Sequence, residues 1–464
     1  MITKLYQWHR WMGILVVLPV LGWCLSGLTH PIMAHFLKVK PAQRFAPAQA
    51  IQLDSNSIAL EDALVMHLID SFENIRIVTF EEKSYYQILR FAAPCLYLNT
   101  VDGTLLENGE SLYAEYLARY YIGDQTSKIR SVERVEHFTF EYKFINRLLP
   151  AYKVSFDRDD EMDVYVETAS SRLGTLNDWN RKTCIAIFSY LHNWSFLNAL
   201  PTLKLILLVV LMVLTMGVAV TGVLIYGVLW KKVPQRSGLK SRKWHRRIGL
   251  LVALSSFFFA FSGAYHAIAK IKAGGKKPEK HKRWIPRASV QELPQLFSKL
   301  QPLKNVSIVT MATGNYFQVQ LQDGKKTILK YYTINTLEEL SEGDATYATD
   351  LASYYTGLPQ QKVKSIEPIT KFGGEYGFIN KRLPVVKISY DLPQKDAVYI
   401  ETHSGKLATH ITSSKRLEAL SFLMLHKYHF LDPFGKKVRD VIIVVIILAI
   451  MLVNVLGLIM WLRK

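Results

Sequence analysis

Residues 8–30 are WHRWMGILVVLPVLGWCLSGLTH, and residues 244–266 are WHRRIGLLVALSSFFFAFSGAYH. Both stretches begin with Trp-His-Arg and end with Ser-Gly-x-x-His. Between these ends, apolar runs from about Trp11 to Met33 and from about Ile248 to Ala269 contain no Lys, Arg, Asp or Glu. A run of about 20 apolar residues is long enough to cross the hydrocarbon core of a bilayer. The two stretches therefore predict a membrane protein with an internal repeat.

Two further apolar runs, Leu203 to Trp230 and Val441 to Leu462, bring the predicted membrane helices to four. The predicted segments are membrane helices at 1–34, 201–230, 248–270 and 438–464, a basic loop at 231–247, and polar domains at 35–200 and 271–437. The first helix could instead be a cleaved signal peptide. Its run is long, however, and ends in Leu28-Thr29-His30-Pro31 without a small-residue cleavage site, so we predict that it is retained.

The distribution of basic residues predicts the orientation. Residues 231–247 contain eight Lys or Arg and no Asp or Glu, and the chain ends in Arg463-Lys464. The positive-inside rule places this loop and both termini in the cytoplasm, and so both polar domains outside it. The net charge of +19 then indicates topology and contact with membrane lipid, and no nucleic-acid partner is predicted.

The repeat extends through the polar domains. Matched stretches there are Phe144-Ile145-Asn146 with Phe378-Ile379-Asn380, Glu167-Thr168 with Glu401-Thr402, and Leu191-His192 with Leu425-His426. We therefore predict an α+β membrane protein of two tandem repeats, each consisting of a helix, an outer domain and a second helix. Because both copies start in the cytoplasm, a pseudo-two-fold axis along the membrane normal should relate them.

Residue periodicity predicts the elements of each outer domain. Helical spacing covers residues 60–72 and 290–300, and strand patterns follow at 75–80, 85–91, 96–98, 306–311, 316–321 and 327–331. Hairpins are predicted from 152–156 with 164–167 and from 386–390 with 397–401. Residues 181–197 and 415–431 have amphipathic spacing, which predicts helices at the outer membrane interface.

Six of the thirteen histidines form three repeat-matched pairs. His9 and His245 start the first and third membrane helices at the cytoplasmic face, and His30 and His266 end them at the outer face. His192 and His426 lie on the two interfacial helices. At a rise of 1.5 Å per residue, His9 and His30 are about 31 Å apart, which is one membrane thickness. Imidazoles are thus expected at both faces of the membrane.

Haem is the cofactor that fits this pattern, because imidazoles from facing helices can ligate its iron and an apolar bundle can hold the porphyrin. We expect one haem on the cytoplasmic side between His9 and His245. One or two more would use His30, His192, His266 and His426, with His429 as an alternative to His426. The pairs could lie within a copy, His30 with His192 and His266 with His426, or be exchanged between copies.

Other matched residues have two interpretations. Gly27 and Gly263 could let a macrocycle approach the helix or could serve helix packing, and Arg10 and Arg246 could pair with haem propionates. The turns at 144–147 and 378–382 could dock on the membrane domain, or Arg147, Lys381 and Arg382 could face a propionate or an anionic substrate. A disulfide between Cys95 and Cys184 is also open. No nucleotide-binding motif occurs in the sequence, so if electrons pass through the protein, they must come from a quinol or a separate cytoplasmic donor.

The sequence resembles the PepSY-associated transmembrane proteins. Trp8-His9-Arg10-Trp11-Met12-Gly13 is similar to the His-Arg-Trp-x-Gly opening of that family, and the second copy departs from it with Arg247 in place of Trp. Members include ferric-siderophore reductases of the bacterial inner membrane with b-type haems. The resemblance implies PepSY-like periplasmic domains and electron transfer across the membrane. Ferric iron in a periplasmic chelate would then be reduced, and Fe(II) would be released from a siderophore.

Two other functions stay open. PepSY domains are also associated with inhibiting or chaperoning peptidases, so the chain could be a non-enzymatic, membrane-anchored binding or regulatory protein. A transporter with a site between the repeats is less favoured, because the four helices contain no midplane charges and no breaks.

Overall fold

The computed structural model describes residues 2–47, 57–229, 240–272, 284–291, 293–300, 303–323 and 326–463. Most of the predicted basic loop, residues 231–239, lies outside them, and so does His281. In chain order the helices are α1 (Ile2–His35), α2 (Leu60–Met66), α3 (Gly109–Ile122), α4 (Trp179–Ile187), α5 (Pro201–Leu229), α6 (Lys240–Lys272), α7 (Leu293–Lys299), α8 (Gly343–Thr356), α9 (Ser413–Ser421) and α10 (Lys436–Leu462).

The strands fall into two series. The first half of the chain contains β1 (Ser71–Phe72), β2 (Asn74–Phe80), β3 (Lys83–Leu89), β4 (Leu96–Asn99), β5 (Ile129–Val135), β6 (Ala151–Phe156), β7 (Asp163–Glu167) and β8 (Arg172–Asn177). The second half contains β9 (Ile285–Pro286), β10 (Leu303–Met311), β11 (Gly314–Asp323), β12 (Lys326–Thr333), β13 (Val363–Ile369), β14 (Val385–Tyr390), β15 (Ala397–Glu401) and β16 (Lys406–Ile411). Their order along the chain is the same in both halves.

The chain divides into two compact units. The membrane unit consists of Met1–Lys38, Trp179–Lys277 and Ser414–Lys464, and the sheet unit consists of Val39–Asp178 and Pro278–Ser413. Each unit therefore takes segments from both halves.

Among the described residues of the membrane unit, four helices (α1, α5, α6 and α10) are long and apolar enough to cross a membrane. Helices α1 and α6 each pack against both α5 and α10, so they lie on opposite sides of the bundle. Val16 and Val20 of α1, Val252 of α6 and Ile447 of α10 are buried between the helices. Many of the remaining apolar side chains are exposed on the outside of the bundle, as expected for a surface that faces lipid.

The sheet unit is built from antiparallel sheets. The first half forms the sheets β2-β3-β4 and β5-β6-β7-β8, and the second half forms β10-β11-β12 and β13-β14-β15-β16. Reciprocal contacts join the halves: the Asn305 side chain accepts from the Ile77 amide at 3.2 Å, and the Asn74 side chain accepts from the Ile308 amide at 3.0 Å. Strands β2 and β10 are thus linked by a matched asparagine on each side.

Several elements differ from the sequence prediction. The helix predicted over 60–72 ends at Met66, because Leu68 has a positive φ and residues 71–72 pair with β9. Helices α3 and α8 were not predicted. Both begin at a glycine that a tyrosine side chain approaches closely: a Cβ at Gly109 would lie 2.9 Å from Tyr97, and one at Gly343 would lie 2.7 Å from Tyr331.

The predicted interfacial helices are shorter than expected. Helix α4 ends at Ile187 and α9 at Ser421, and each continues into a single π-helical turn, Phe188–His192 or Phe422–His426. The cysteines form no disulfide, since Cys95 and Cys184 are both free thiols.

Candidate functional site

An inner pair of imidazoles lies near the starts of α1 and α6. The ring centres of His9 and His245 are 6.3 Å apart, with an angle of 76° between the ring planes. Two glycines make room for them, since a Cβ at Gly222 of α5 would lie 3.2 Å from His9 Cε1 and one at Gly457 of α10 would lie 3.3 Å from His245 Cε1. Residues of all four membrane helices thus define this site.

An outer pair consists of His192 and His426. Their ring centres are 6.2 Å apart, and their planes are nearly perpendicular at 88°. Each is the last residue of its π-helical turn, a local widening that is frequent at functional sites. Phe188 stacks on His192 at 4.5 Å and Phe422 stacks on His426 at 4.8 Å, so each imidazole is held on one face by a phenylalanine.

The Nδ1 atom of each paired histidine is hydrogen-bonded to a membrane helix. In the inner pair, His9 Nδ1 lies 3.0 Å from Thr221 Oγ1 and His245 Nδ1 lies 3.0 Å from the Val453 carbonyl. In the outer pair, the distances are 3.1 Å from His192 to Ser26 Oγ and 3.2 Å from His426 to Ser262 Oγ. These hydrogen bonds at Nδ1 therefore orient all four imidazole rings.

His30 and His266 lie elsewhere in the membrane unit. His30 contacts the edge of Phe188 at 5.0 Å, and His266 stacks on Phe422 at 4.7 Å and pairs with Glu418. In each half, one phenylalanine thus contacts both outer histidines. The structure brings together His192 and His426, a pairing that differs from both arrangements considered from sequence. His429, the alternative to His426, instead bonds to Asp432 at 2.7 Å.

The other predicted haem contacts are placed as follows. Arg10 is exposed, and the Arg246 guanidinium lies 5.5 Å from the centre of the Tyr226 ring. A Cβ at Gly27 would contact Ile447 at 3.5 Å, and one at Gly263 would contact Met212 at 3.2 Å. Neighbouring helices thus fill the space beside these two glycines, which favours the helix-packing interpretation.

The cations of the matched turns lie in the sheet unit. Lys381 donates to the Asn146 side-chain oxygen at 2.8 Å and to the Gly174 carbonyl at 2.7 Å, and Arg382 pairs with Glu401. Arg147 lies over the Phe144 ring at 4.3 Å, and its buried Nε has no hydrogen-bond partner among the residues that the structure describes. Of the three, Arg147 therefore remains the clearest candidate for contact with an anionic group.

Reciprocal ion pairs join the two halves of the sheet unit. Glu167 pairs with Lys406 at 2.7 Å, and the matched Glu401 pairs with Arg172. Burial opposes ionisation of Glu401, but Arg172 and Arg382 outweigh it and lower the pKa of this carboxyl to about 2. Burial also opposes ionisation of Glu167, and Lys406 and Arg382 lower its pKa to about 2. Both buried carboxylates are therefore ionised at neutral pH.

The paired histidines fit an iron porphyrin. Two imidazoles bound to one metal from opposite sides, each through a bond of about 2.0–2.1 Å, have ring centres about 6–6.5 Å apart. Both observed separations lie in this range. Within the described part of the chain, His, Cys, Asp and Glu form no group of three or more that could hold a metal ion. A two-imidazole site needs its remaining ligands from the cofactor, and a porphyrin supplies four nitrogens.

Several contacts were missed from sequence. Ser26 and Ser262 are matched residues, but each contacts a histidine more than 160 residues away, His192 or His426, so their spacing from His30 and His266 gives no signal of this contact. Gly222 and Gly457 recur at nearly equal positions in α5 and α10, yet small residues are common in membrane helices and give no distinct signal.

The chain matches a known protein family. Residues 6–464 match the family model described as the PepSY-associated TM region. No curated protein matches the chain.

Proposed function

Since the chain belongs to the family of PepSY-associated TM regions, we propose that it is a haem-containing reductase of the bacterial inner membrane. It takes electrons from a quinol or a cytoplasmic donor and reduces ferric iron in a periplasmic chelate, for which a ferric siderophore is the leading candidate. Reduction releases the metal as Fe(II). The observation that carries this proposal is the presence of two imidazole pairs with ring separations of 6.3 and 6.2 Å.

The two pairs lie near opposite ends of the apolar bundle. His9 of the inner pair and Ser26, which contacts the outer pair, both belong to α1. At 1.5 Å per residue they are about 25 Å apart along the helix axis. A haem at each histidine pair would provide two redox sites, one near each end of the bundle, through which an electron could cross the membrane.

We further propose that each histidine pair binds one haem. We also propose that the chain consists of two tandem copies of one unit, made of a helix, an outer domain and a second helix. The termini and the loop before α6 would lie in the cytoplasm, and Lys240, Arg242 and Lys243 at the start of α6, which add to the basic loop, support this orientation. The sheet unit would then be periplasmic, where it would receive the ferric chelate.

The chain's own residues would bind and orient the cofactors. When bound, a haem supplies one-electron chemistry between Fe(III) and Fe(II). His9 with His245 would hold one haem, and His192 with His426 would hold the other. Gly222 and Gly457 leave room for the inner imidazoles, and Phe188 and Phe422 hold the outer ones. Buried Val16, Val20 and Ile447 keep water out of the bundle between the two levels.

A haem-to-protein ratio on single alanine variants tests the proposal. The full chain, purified in detergent after expression with ample haem, should contain two haems. His9→Ala and His245→Ala should each lose one haem, and the double variant should lose no more than either. His192→Ala and His426→Ala should lose the other, whereas the matched controls His30→Ala and His266→Ala should keep both. A wild-type protein without a Soret band would refute the proposal and favour a non-enzymatic binding function.

A further inference from the structure

The hydroxyl groups beside the outer histidines can act only as acceptors toward the imidazoles. Ser26 Oγ lies 2.8 Å from the Gly22 carbonyl, and Ser262 Oγ lies 2.7 Å from the Phe258 carbonyl. A carbonyl cannot donate, so the single hydroxyl hydrogen of each serine is used in that bond. The proton in the contact with His192 or His426 must therefore reside on imidazole Nδ1.

Nδ1 of each inner histidine also faces a hydrogen-bond acceptor, which is a hydroxyl group for His9 and a main-chain carbonyl for His245. Thr221 Oγ1 donates to the Gly217 carbonyl at 2.6 Å, so it accepts from His9 Nδ1. His245 Nδ1 bonds to the Val453 main-chain carbonyl, which can only accept. With the hydroxyl hydrogens assigned in this way, the network places the proton of all four rings on Nδ1 and leaves the lone pair on Nε2. Ser26 and Ser262 are almost completely buried, so water does not compete with them.

We propose that Ser26, Ser262 and Thr221 are positioning residues that fix the Nδ1–H tautomer of His192, His426 and His9. They thereby keep Nε2 available as the ligand atom and tune the redox potential of each site separately. This inference rests on the proposed haem function. An imidazole that donates a hydrogen bond is a more basic ligand, which favours Fe(III) and lowers the potential. Ser26 and Ser262 act on the outer site and Thr221 on the inner site.

Alanine variants of the three residues, with a matched control, test this inference. Thr215→Ala is the control, because the Thr215 hydroxyl also lies in α5 and bonds to the Leu211 carbonyl of its own helix at 2.8 Å. The measurements are an optical redox titration of both haems and the rate of haem loss to excess apomyoglobin. The titration should resolve two redox components, one for each haem. The single histidine variants, which each lack one haem, assign each component to the inner or the outer site.

Ser26→Ala and Ser262→Ala should shift only the outer component to higher potential and speed its haem loss by about tenfold, as is typical when a second contact of a metal ligand is lost. Thr221→Ala should do the same to the inner component alone, and Thr221→Ser should restore it. Haem-loaded serine and threonine variants that behave like Thr215→Ala would overturn the inference and leave the proposed function standing. A wild-type chain without haem would overturn both.

Discussion

In the first half of the chain, Glu167 pairs with Lys406 of the second half, whereas Glu401 of the second half pairs with Arg172 of the first and also with Arg382 of its own half. The two glutamates are matched residues, and each also bonds a serine three residues later. The extra cation has no counterpart, because the residue of the first half that matches Arg382 is Leu148. The same interface is therefore charged differently on its two sides.

The membrane unit has a similar contrast. His9 with His245 and His192 with His426 are pairs of matched residues, and each pair brings one residue from either half. Outside these pairs the halves diverge: His266 is bonded to Glu418, and the residue of the first half that matches Glu418 is Cys184. Residues that meet their own counterparts are constrained in both halves at once. Residues outside such pairs can change in one half alone.

The largest predicted difference between the halves concerns the two buried glutamates. Glu401→Ala leaves Arg382 and Arg172, whose side chains are 5% and 20% exposed, without their carboxylate. Removal of one partner of a buried ion pair costs about 3–5 kcal/mol. Glu167→Ala leaves Lys406, which is 36% exposed and can be solvated, so a smaller cost of about 1–3 kcal/mol is expected. Hydrogen exchange of β7, β8, β15 and β16 in the full chain measures both.

A double variant provides the control for this prediction. Arg382→Leu gives the second half the residue type of the first, so Glu401→Ala combined with Arg382→Leu should be less destabilised than Glu401→Ala alone. If Glu167→Ala and Glu401→Ala lowered the free energy of unfolding equally, Arg382 would make no energetic difference between the two halves.

Acid should weaken the same interface. The folded-state pKa of Glu167 and of Glu401 is about 2, below the ordinary 4.5, so both contribute stability above pH 4.5 and lose it as the pH falls toward 2. Each carboxyl accounts for about 3 kcal/mol at most. Thermal unfolding of the full chain, followed by near-UV circular dichroism of the buried tyrosines, should show this loss between pH 5 and 2. Glu401→Gln should make the dependence shallower, and an unchanged slope would contradict the assignment.

The inner histidine pair could be anticipated from sequence because matched residues at the starts of two membrane helices must lie at the same depth. The outer pair could not. A π-helical turn changes the direction in which His192 and His426 project, and no residue pattern in 188–192 or 422–426 indicates it. The phenylalanines then occupy the space between the outer histidines of each half. The depth of a histidine in the membrane can therefore be predicted from the repeat and from hydropathy. The direction in which its side chain projects depends on local backbone geometry, which the sequence pattern does not indicate.

In the sheet unit, too, local elements could be predicted from sequence, whereas contacts between distant residues could not. Alternating strands and hairpins such as β2–β3 and β6–β7 have a short-range pattern that can be recognised. Helices α3 and α8 are rich in tyrosine, which is common in strands, so their periodicity gives a weak helical signal. Lys406 and Arg172, which pair with Glu167 and Glu401 across the two halves, lie more than two hundred residues from them in sequence, and only the folded interface brings them together.

The smallest predicted effect tests whether the two halves confine the inner imidazoles equally. A Cβ at Gly222 would displace His9, and one at Gly457 would displace His245, each by a few tenths of an ångström. Gly227→Ala is the control, because a Cβ there would meet no described residue within 4 Å. All three substitutions favour the helix by about 1 kcal/mol or less, so comparison with Gly227→Ala removes this shared effect. Gly222→Ala and Gly457→Ala should speed haem loss from the inner site several-fold and to the same extent, as a displaced metal ligand binds more weakly. If only one of them differed from Gly227→Ala, the inner site would be held by one half of the chain rather than by both.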